Sequence, residues 1–195
     1  MLTHVCMVVD RIPADNLVLA WSAVLHDVGK PGTFEQAADR IRFSGHDVLS
    51  AKMADSALRR LRAPRGLRDS VVAVCRDHIR FASILQMKPG RRERWMRSPI
   101  FGYHLEFHRA DCLASHGKLD IYQVARRLWH QLPPVQPPPL CRGADVIARG
   151  VPEGPAVGAV LAELQSKLDA LVGVDRGTAL RLLDAIVDAR VKGAD

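Results

Sequence analysis

A proline-rich segment divides this sequence into two parts. Five prolines lie among the nine residues from Leu132 to Leu140. Proline fixes its backbone φ angle and has no N–H to donate, so the segment cannot form a helix or a central strand. It is typical of an extended connector. The sequence therefore predicts a first domain over residues 1–131, a proline-rich linker over 132–141 and a C-terminal helical tail over 142–195.

Apolar residues recur at helical spacing on both sides of this linker, and we find no internal repeat and no strand period. The pattern predicts an all-α protein, a helical bundle with a small C-terminal helical appendage. One stripe is expected to be buried along the second helix. Its members are Leu17, Ala20, Trp21, Val24, Leu25 and Val28. Further helices are expected over about 1–11, 46–62, 67–81, 99–116, 120–131, 143–150, 155–171 and 175–191, the last capped by Asp175.

The charge of the chain is positive and uneven. The net charge is +7. Residues 142–195 contain seven Lys or Arg and eight Asp or Glu, so the first 141 residues carry the excess. A basic first domain favours a polyanionic partner such as RNA or a phosphorylated ligand, and an ordinary solvated surface is the alternative. Four cysteines without a C-x-x-C pair, no signal peptide and no long apolar run predict a cytoplasmic protein that does not enter a membrane.

A His-Asp pair ends the second predicted helix. His26 and Asp27 lie on its last turn, Gly29 is expected at the C′ position, and Pro31 cannot continue the helix. The unpaired carbonyls of that turn carry partial negative charge and favour a cation. An imidazole beside a carboxylate is half of a plausible metal site. A satisfied helix end without a metal is the alternative, because the same dipeptide recurs at His46.

Further polar residues are predicted to point inward from neighbouring helices. Each inward histidine is alternatively a hydrogen-bonded core residue, whereas Asp111 requires a partner because a buried unpaired charge is costly. Together the six residues could surround one or two divalent ions, with Asp27 as a bridge, although spacing alone does not show that they converge. The six are His4, His26, Asp27, His46, His78 and Asp111.

The segment from Lys88 to Arg97 is the densest basic stretch of the chain. Its arginines could hold a phosphate backbone, with Trp95 available for stacking on a base. The alternative, which we favour, is a solvated loop and helix start with Trp95 and Met96 docked in the core. The candidate phosphate-binding residues here are Arg91, Arg92, Arg94 and Arg97.

Several sequence motifs occur in a fixed order along the chain. They are Thr3-His4, Leu25-His-Asp-Val-Gly-Lys-Pro31, Arg42-Phe-Ser-Gly-His46, Leu61-Arg-Ala-Pro64, His78, His108-Arg-Ala-Asp-Cys-Leu-Ala-Ser-His-Gly117, Pro137-Pro-Pro-Leu140, Gly143-Ala-Asp145 and Gly150-Val-Pro-Glu-Gly-Pro155. With the order His, His-Asp, His, His, Asp, they resemble the HD superfamily of metal-dependent phosphohydrolases. More narrowly, the chain resembles the C-terminal portion of bacterial CCA-adding enzymes and related poly(A) polymerases that carry an HD domain. The resemblance implies an HD-domain helical bundle and extends over nearly the whole chain.

The resemblance implies hydrolysis of phosphate esters, on nucleotides or on RNA ends such as 2′,3′-cyclic phosphates. The six polar residues would be the ligands of one or two divalent ions, and mixed nitrogen and oxygen donors suit Ni, Mn, Fe, Co or Mg. Asp27 would also orient the attacking water, and Lys30 would hold a phosphate oxygen. His104, His108 and His116 are not expected to be ligands.

The chain differs from that family at its N-terminus. The family has a nucleotidyltransferase head upstream, whereas only three residues precede His4 here. We therefore expect no nucleotidyltransferase activity from this chain alone, and a separate head is a candidate partner. The alternative function is a non-catalytic RNA-binding body of a split or truncated CCA-adding enzyme or poly(A) polymerase. The expected partner in both cases is a nucleotide or an RNA 3′ end, such as that of tRNA.

Overall fold

A computed structural model describes residues 2–134 and 138–192 of the chain. These residues form ten α-helices and one very short two-stranded hairpin, so the predicted all-α fold is confirmed. No helix among them has the length and apolar character that crossing a bilayer requires. The contacts divide the chain into two compact units.

The first unit comprises Met1–Leu85 and Arg97–Gln131. Two 3₁₀ turns, Lys30–Thr33 and His78–Ser83, follow the second and fourth helices. A hairpin that the sequence did not predict pairs β1 with β2 in antiparallel register. Its α-helices and strands are α1 (Leu2–Val9), α2 (Leu17–Leu25), β1 (Glu35–Gln36), β2 (Ile41–Arg42), α3 (His46–Arg60), α4 (Arg65–Asp77), α6 (Phe101–Ser115) and α7 (Asp120–His130).

Helix α2 lies at the centre of the first unit. Its N-terminus is capped by Asn16, whose side-chain oxygen accepts a hydrogen bond from the backbone N–H of Leu19 at 3.1 Å. Leu19 and Ala23 join a cluster with α1, α4 and α6, whereas Leu25 joins a second cluster with α3 and α4. A helix that packs on several sides does not bury one stripe alone.

The predicted stripe on α2 is therefore wrong at two positions. The side chains of Leu17 and Val24 are 62% and 44% exposed, and the fully buried positions include Leu19, Ser22 and Ala23 instead. Apolar residues lie on several faces of α2, so their spacing in the sequence did not identify which face is buried. Most predicted helix bounds differ from the observed ones by only a few residues, and the helix expected to reach Phe81 ends at Asp77 before a 3₁₀ turn.

The second unit comprises Gln86–Met96 and Leu132–Asp195. Its core is formed by two helices, Pro155–Leu168 and Arg176–Lys192, together with Cys141 and Val146. The predicted cap of the last helix is present, since the backbone N–H of Thr178 donates to Oδ1 of Asp175 at 2.8 Å. The helices of this unit are α5 (Pro89–Met96), α8 (Gly143–Ile147), α9 (Pro155–Leu168) and α10 (Arg176–Lys192).

Helix α5 belongs to the second unit by its contacts, whereas the predicted boundaries assign it to the first domain. Both N–H groups at the end of the Arg94 guanidinium donate to the carboxylate of Asp169, at 2.6 and 2.5 Å. The Lys88 ammonium also donates to the backbone oxygen of Ser166. Part of the predicted linker, residues 135–137, lies outside the described residues, and the predicted domain boundaries stay a prediction.

Candidate metal centre

The structure brings together all six residues that the sequence predicts as metal ligands. They form two groups, and within each group the side-chain donor atoms lie within 4.8 Å of one another. One group joins α1, α2 and α6. The other joins the end of α2 to the start of α3 and the end of α4. The first group is His4, His26 and Asp111, and the second is Asp27, His46 and His78.

The carboxylate of Asp27 faces both groups. Its Oδ2 lies 3.3 Å from Nε2 of His26 and 4.0 Å from Nε2 of His4. Its Oδ1 lies 3.5 Å from Nε2 of His46 and 3.8 Å from Nε2 of His78. Asp27 therefore directs one carboxylate oxygen toward each group of candidate ligands.

His4 and Asp111 close the more accessible side of the centre. Nε2 of His4 lies 3.0 Å from Oδ1 of Asp111 and 3.3 Å from Nε2 of His26. Both side chains are about a quarter exposed, whereas those of His26 and Asp27 are almost fully buried. The Asp111 carboxylate thus has the partner that its apolar surroundings require, and a ligand can reach the centre from this side.

Gly29 allows α3 to approach the His-Asp turn. A Cβ atom on Gly29 would lie 2.6 Å from the carbonyl oxygen of His46 and 2.7 Å from the backbone nitrogen of Ser50. The N–H of Gly29 also donates to Oγ of Ser50 at 2.9 Å. Gly29 does not occupy the expected C′ position, because the C-cap of α2 is His26, and φ of Gly29 is −80°. This glycine is required for close packing, which places His46 beside Asp27.

Backbone carbonyls orient three of the imidazole rings in the same way. In each ring, Nδ1 lies close to the backbone carbonyl oxygen of the residue three positions earlier. The pairs are His26 with Ala23 at 3.0 Å, His46 with Phe43 at 2.8 Å and His78 with Cys75 at 2.7 Å. A carbonyl can only accept, so each Nδ1 carries a hydrogen. In the neutral ring Nε2 therefore carries a lone pair. Hydrogen bonds of this kind hold metal-binding histidines in place in many proteins.

The unprotonated nitrogens face one another across the centre. Nε2 of His46 lies 3.1 Å from Nε2 of His78, a contact in which two neutral rings have no hydrogen to share. Oδ1 of Asp27 is buried beside them and has no hydrogen-bond partner. Converging lone pairs and an unsatisfied buried carboxylate oxygen are costly unless a cation binds them. Imidazole nitrogens with carboxylate oxygens suit a divalent transition metal, so the residues present fit such an ion.

Asp27 is ionised despite its burial. Burial raises the pKa of its carboxyl, but the contact with His26 and the hydrogen bond and positive charge of Lys30 outweigh burial, and the pKa lies well below its usual value. The ammonium of Lys30 donates to Oδ2 at 2.6 Å and lies 5.7 Å from the centre of the Phe43 ring. Lys30, which the sequence predicts as a catalytic residue, is therefore at the centre and about 30% exposed.

Burial also affects the groups behind the centre. It lowers the pKa of His78, which keeps that imidazole neutral, the form that binds a metal. It raises the pKa of the Cys75 thiol to about 12, so Cys75 is a protonated core residue. His104 and His108, which the sequence excludes from the ligands, are buried in α6, and burial lowers the pKa of each to about 4.

The predicted phosphate-binding arginines lie on α5 or directly after it. Arg91, Arg92 and Arg94 are on α5 in the second unit, and Arg97 follows this helix. The Arg94 guanidinium is held by Asp169, whereas Arg91 is exposed. Trp95 and Met96 are buried, as the alternative interpretation of this stretch predicts. Phosphate binding by these arginines stays a prediction.

Sequence reasoning missed the residues that position the ligands. Ser50 lies inside α3, and Phe43 lies between β2 and α3. The carbonyls that orient the histidines belong to ordinary residues such as Ala23 and Cys75. In all three cases the carbonyl belongs to the residue three positions before the histidine. The sequence does not reveal this hydrogen bond, because it depends on the conformation of the histidine side chain.

Comparisons with known proteins agree with this geometry. A family model described as "HD domain" matches residues 1–120. The chain is 33% identical over 172 residues to the A-adding tRNA nucleotidyltransferase of Deinococcus radiodurans, an alignment that covers 79% of this chain and 38% of that protein. It is 32% identical over 135 residues to the Multifunctional CCA protein of Paraburkholderia phymatum, covering 64% of this chain and 32% of that protein. No solved structure matches.

The chain thus spans about a third of the length of these two curated relatives. The matched family region includes every residue of the candidate centre, from His4 to Asp111. The resemblance to the HD superfamily, and within it to CCA-adding enzymes, is confirmed. From its motifs, its helical fold and the match over residues 1–120, we conclude that this chain belongs to the HD-domain family.

Proposed function

We propose that this protein is a metal-dependent phosphohydrolase that acts on nucleotides or RNA ends such as 2′,3′-cyclic phosphates. The observation that carries the proposal is the Asp27 carboxylate, which is buried and ionised and directs one oxygen toward each histidine group. A chain gains no stability from an unsatisfied carboxylate oxygen among imidazole lone pairs, whereas a metal centre requires this arrangement.

The chain supplies the groups that phosphate hydrolysis requires. His4, His26 and Asp111 would hold one divalent ion and His46 with His78 a second, with Asp27 shared between them. Bound divalent ions lower the pKa of water and neutralise phosphate charge. Their mixed nitrogen and oxygen donors suit Ni, Mn, Fe, Co or Mg.

Asp27 and Lys30 would orient the reactants. Oδ1 of Asp27 has no hydrogen-bond partner, so it can accept a hydrogen bond from the attacking water and fix its position. The Lys30 ammonium is partly exposed beside Asp27 and can donate to a phosphate oxygen. An ammonium in this position would stabilise the negative charge that grows on the phosphate during attack.

The relatives suggest the class of substrate. Two of them are named for tRNA nucleotidyl transfer or CCA addition, and the chain carries a net charge of +7, which favours RNA. We therefore propose an RNA 3′ end, such as that of tRNA, as the partner, and a cytoplasmic location. Arg91 and Arg92 would contact the phosphate backbone.

The test is hydrolysis of 2′,3′-cyclic AMP by the full chain with added Ni, Mn or Mg. Asp27→Asn should reduce metal-dependent turnover by more than about a hundredfold, a loss typical of a removed catalytic group. The matched control is Asp15→Asn, which changes an exposed aspartate in the loop before α2 and should retain full turnover. Absence of turnover in the wild type with every metal, on this substrate and on 2′-phosphorylated RNA, would refute the proposal.

A second candidate function is a non-catalytic RNA-binding body that works with a separate nucleotidyltransferase head. The observation in its favour is the basic character of the chain, with a net charge of +7, which suits RNA binding without catalysis. This function predicts tRNA binding that persists after chelation of metals with EDTA and in Asp27→Asn. Binding that requires both the metal and Asp27 would instead favour the hydrolase.

A further inference from the structure

A cavity of about 360 Å³ adjoins the candidate metal centre in the first unit. Two of its lining residues, His78 and Asp111, belong to the centre itself, one to each group. The cavity is thus beside the position that a phosphate on the metal ions would occupy. Its volume is near the lower end of the roughly 300–1,000 Å³ that small-molecule sites have, so it suits one nucleotide unit and excludes a duplex.

Apolar lining residues of this cavity suit the organic part of a phosphate ester. Ile79 and Ile121 line it from two different elements, the 3₁₀ turn after α4 and the first turn of α7. The His108 ring is also a wall, and it stacks on Phe81 at 4.3 Å with an angle of 7° between the planes. Because burial keeps this imidazole neutral, the wall has no charge. Aliphatic and aromatic walls of this kind accommodate a ribose or a base.

The outer part of the cavity carries one group of each charge. Lys118 and Asp120 line it, and the described residues give the Lys118 ammonium no ion-pair partner. The turn that carries Lys118 is well defined, because Gly117 adopts a φ of +73° and the N–H of Lys118 donates to Nδ1 of His116 at 3.1 Å. An ammonium there can bind a phosphate, and a carboxylate can accept hydrogen bonds from a ribose hydroxyl or an amino group of a base.

We propose that this cavity binds the nucleoside of the substrate and that Lys118 contacts a second phosphate on the same nucleotide. The inference rests on the proposed function, which places the first phosphate at the metal centre. A terminal RNA nucleotide has both phosphates, one at its 2′,3′ end and one at the 5′ oxygen that joins it to the chain. The preferred substrate is therefore a nucleotide with phosphates on both sides of the ribose, rather than a nucleoside with a single phosphate.

The test measures binding, which is independent of turnover. Isothermal titration of the Mn²⁺-loaded full chain compares adenosine 3′,5′-bisphosphate with adenosine 3′-monophosphate. The wild type should bind the bisphosphate about tenfold more tightly, as one charged hydrogen bond provides. Lys118→Ala should reduce this ratio to near one, and Lys118→Arg should restore it. The matched control is Lys52→Ala, an exposed lysine on α3 outside the cavity, which should keep the wild-type ratio.

A second variant tests the position of the nucleoside. Ala82 is exposed and lines the cavity, so Ala82→Trp should fill the space without disturbing the core and should weaken the binding of both nucleotides. The inference is overturned if the wild type does not distinguish the two ligands, if Lys118→Ala keeps the preference, or if Ala82→Trp binds both nucleotides normally. If the protein prefers the bisphosphate but hydrolyses no cyclic phosphate, nucleoside binding in the cavity is supported and the proposed function is refuted. If it hydrolyses a cyclic phosphate but shows no preference, the proposed function is supported and nucleoside binding in the cavity is refuted.

Discussion

Among the residues that the structure describes, each unit buries one aspartate, and the two carboxylates have opposite surroundings. Asp169 in the second unit is 4% exposed and accepts hydrogen bonds from Arg94 and Gln165. Asp27 in the first unit is 2% exposed, and its Oδ1 has no hydrogen-bond partner although histidine nitrogens surround it. Buried charge is stable where donors satisfy it, as for Asp169. The unsatisfied oxygen of Asp27 therefore marks a site for a ligand.

Glycines lie beside both aspartates and have related roles. A Cβ atom on Gly90 would lie 2.6 Å from Oδ1 of Asp169, and one on Gly29 would lie 2.6 Å from the carbonyl oxygen of His46. In both places a backbone approaches a neighbour more closely than a side chain allows. The comparison shows that close packing is common to both units, whereas converging lone pairs occur only at the metal centre among the described residues.

Among the substitutions that distinguish the two aspartates, we expect the largest effect on the amount of metal that the protein binds. Asp27→Asn should lower the affinity for Mn²⁺ or Ni²⁺ by more than about a hundredfold, because even residues outside the ligand set change metal affinity by 10–100-fold. Asp169→Asn is the control and should bind metal as the wild type does. Elemental analysis after dialysis measures the bound ions. If Asp27→Asn binds as much metal as the wild type, Asp27 is not a metal ligand and the contrast with Asp169 is contradicted.

Gly29→Ala should destabilise the first unit by about 2–3 kcal/mol, because a methyl group is forced against the backbone of α3. Gly66→Ala is the matched control, since Gly66 lies in the first turn of α4 with no atom within 4 Å of an added Cβ. Its stability should be equal to the wild type or higher by a few tenths of a kcal/mol. Urea unfolding followed by circular dichroism measures both. Equal stability of the two variants would contradict the close-packing role of Gly29.

Arg94→Ala should destabilise the second unit by about 2 kcal/mol, a value reduced for the partial exposure of the guanidinium. Burial raises the pKa of Asp169, but the hydrogen bonds from Arg94 and Gln165 outweigh it, so the folded pKa is below its usual value. The stabilisation should be complete above the ordinary pKa of 3.8 and should disappear as pH falls through the folded pKa.

Urea unfolding at neutral and strongly acidic pH measures this difference between wild type and Arg94→Ala. Arg91→Ala, which removes an exposed arginine from the same helix, is the control and should change stability little at either pH. A loss in Arg94→Ala that is the same at both pH values would show that packing, and not the charge of Asp169, is responsible.

Helix positions could be predicted from the sequence because they depend on local chemistry. The start of α3 at His46 follows from Ser44-Gly45, and the start of α10 follows from the Asp175 cap. The face that α2 buries could not be predicted, since its apolar residues suit more than one partner and the order of helices in space selects among them. The docking of α5 also escaped prediction, because Arg94 finds Asp169 75 residues away in sequence.

The sequence by itself determined the identity of the candidate ligands and the all-α fold. Residue types, their order and the residues that end helices are local properties, and they were sufficient to indicate His4, His26, Asp27, His46, His78 and Asp111. Only the tertiary structure decided that these residues converge, that Asp27 faces both groups and that Oδ1 is unsatisfied. The physical reason is that convergence depends on how closely five separate elements pack, and contacts such as that of Gly29 with α3 set this distance.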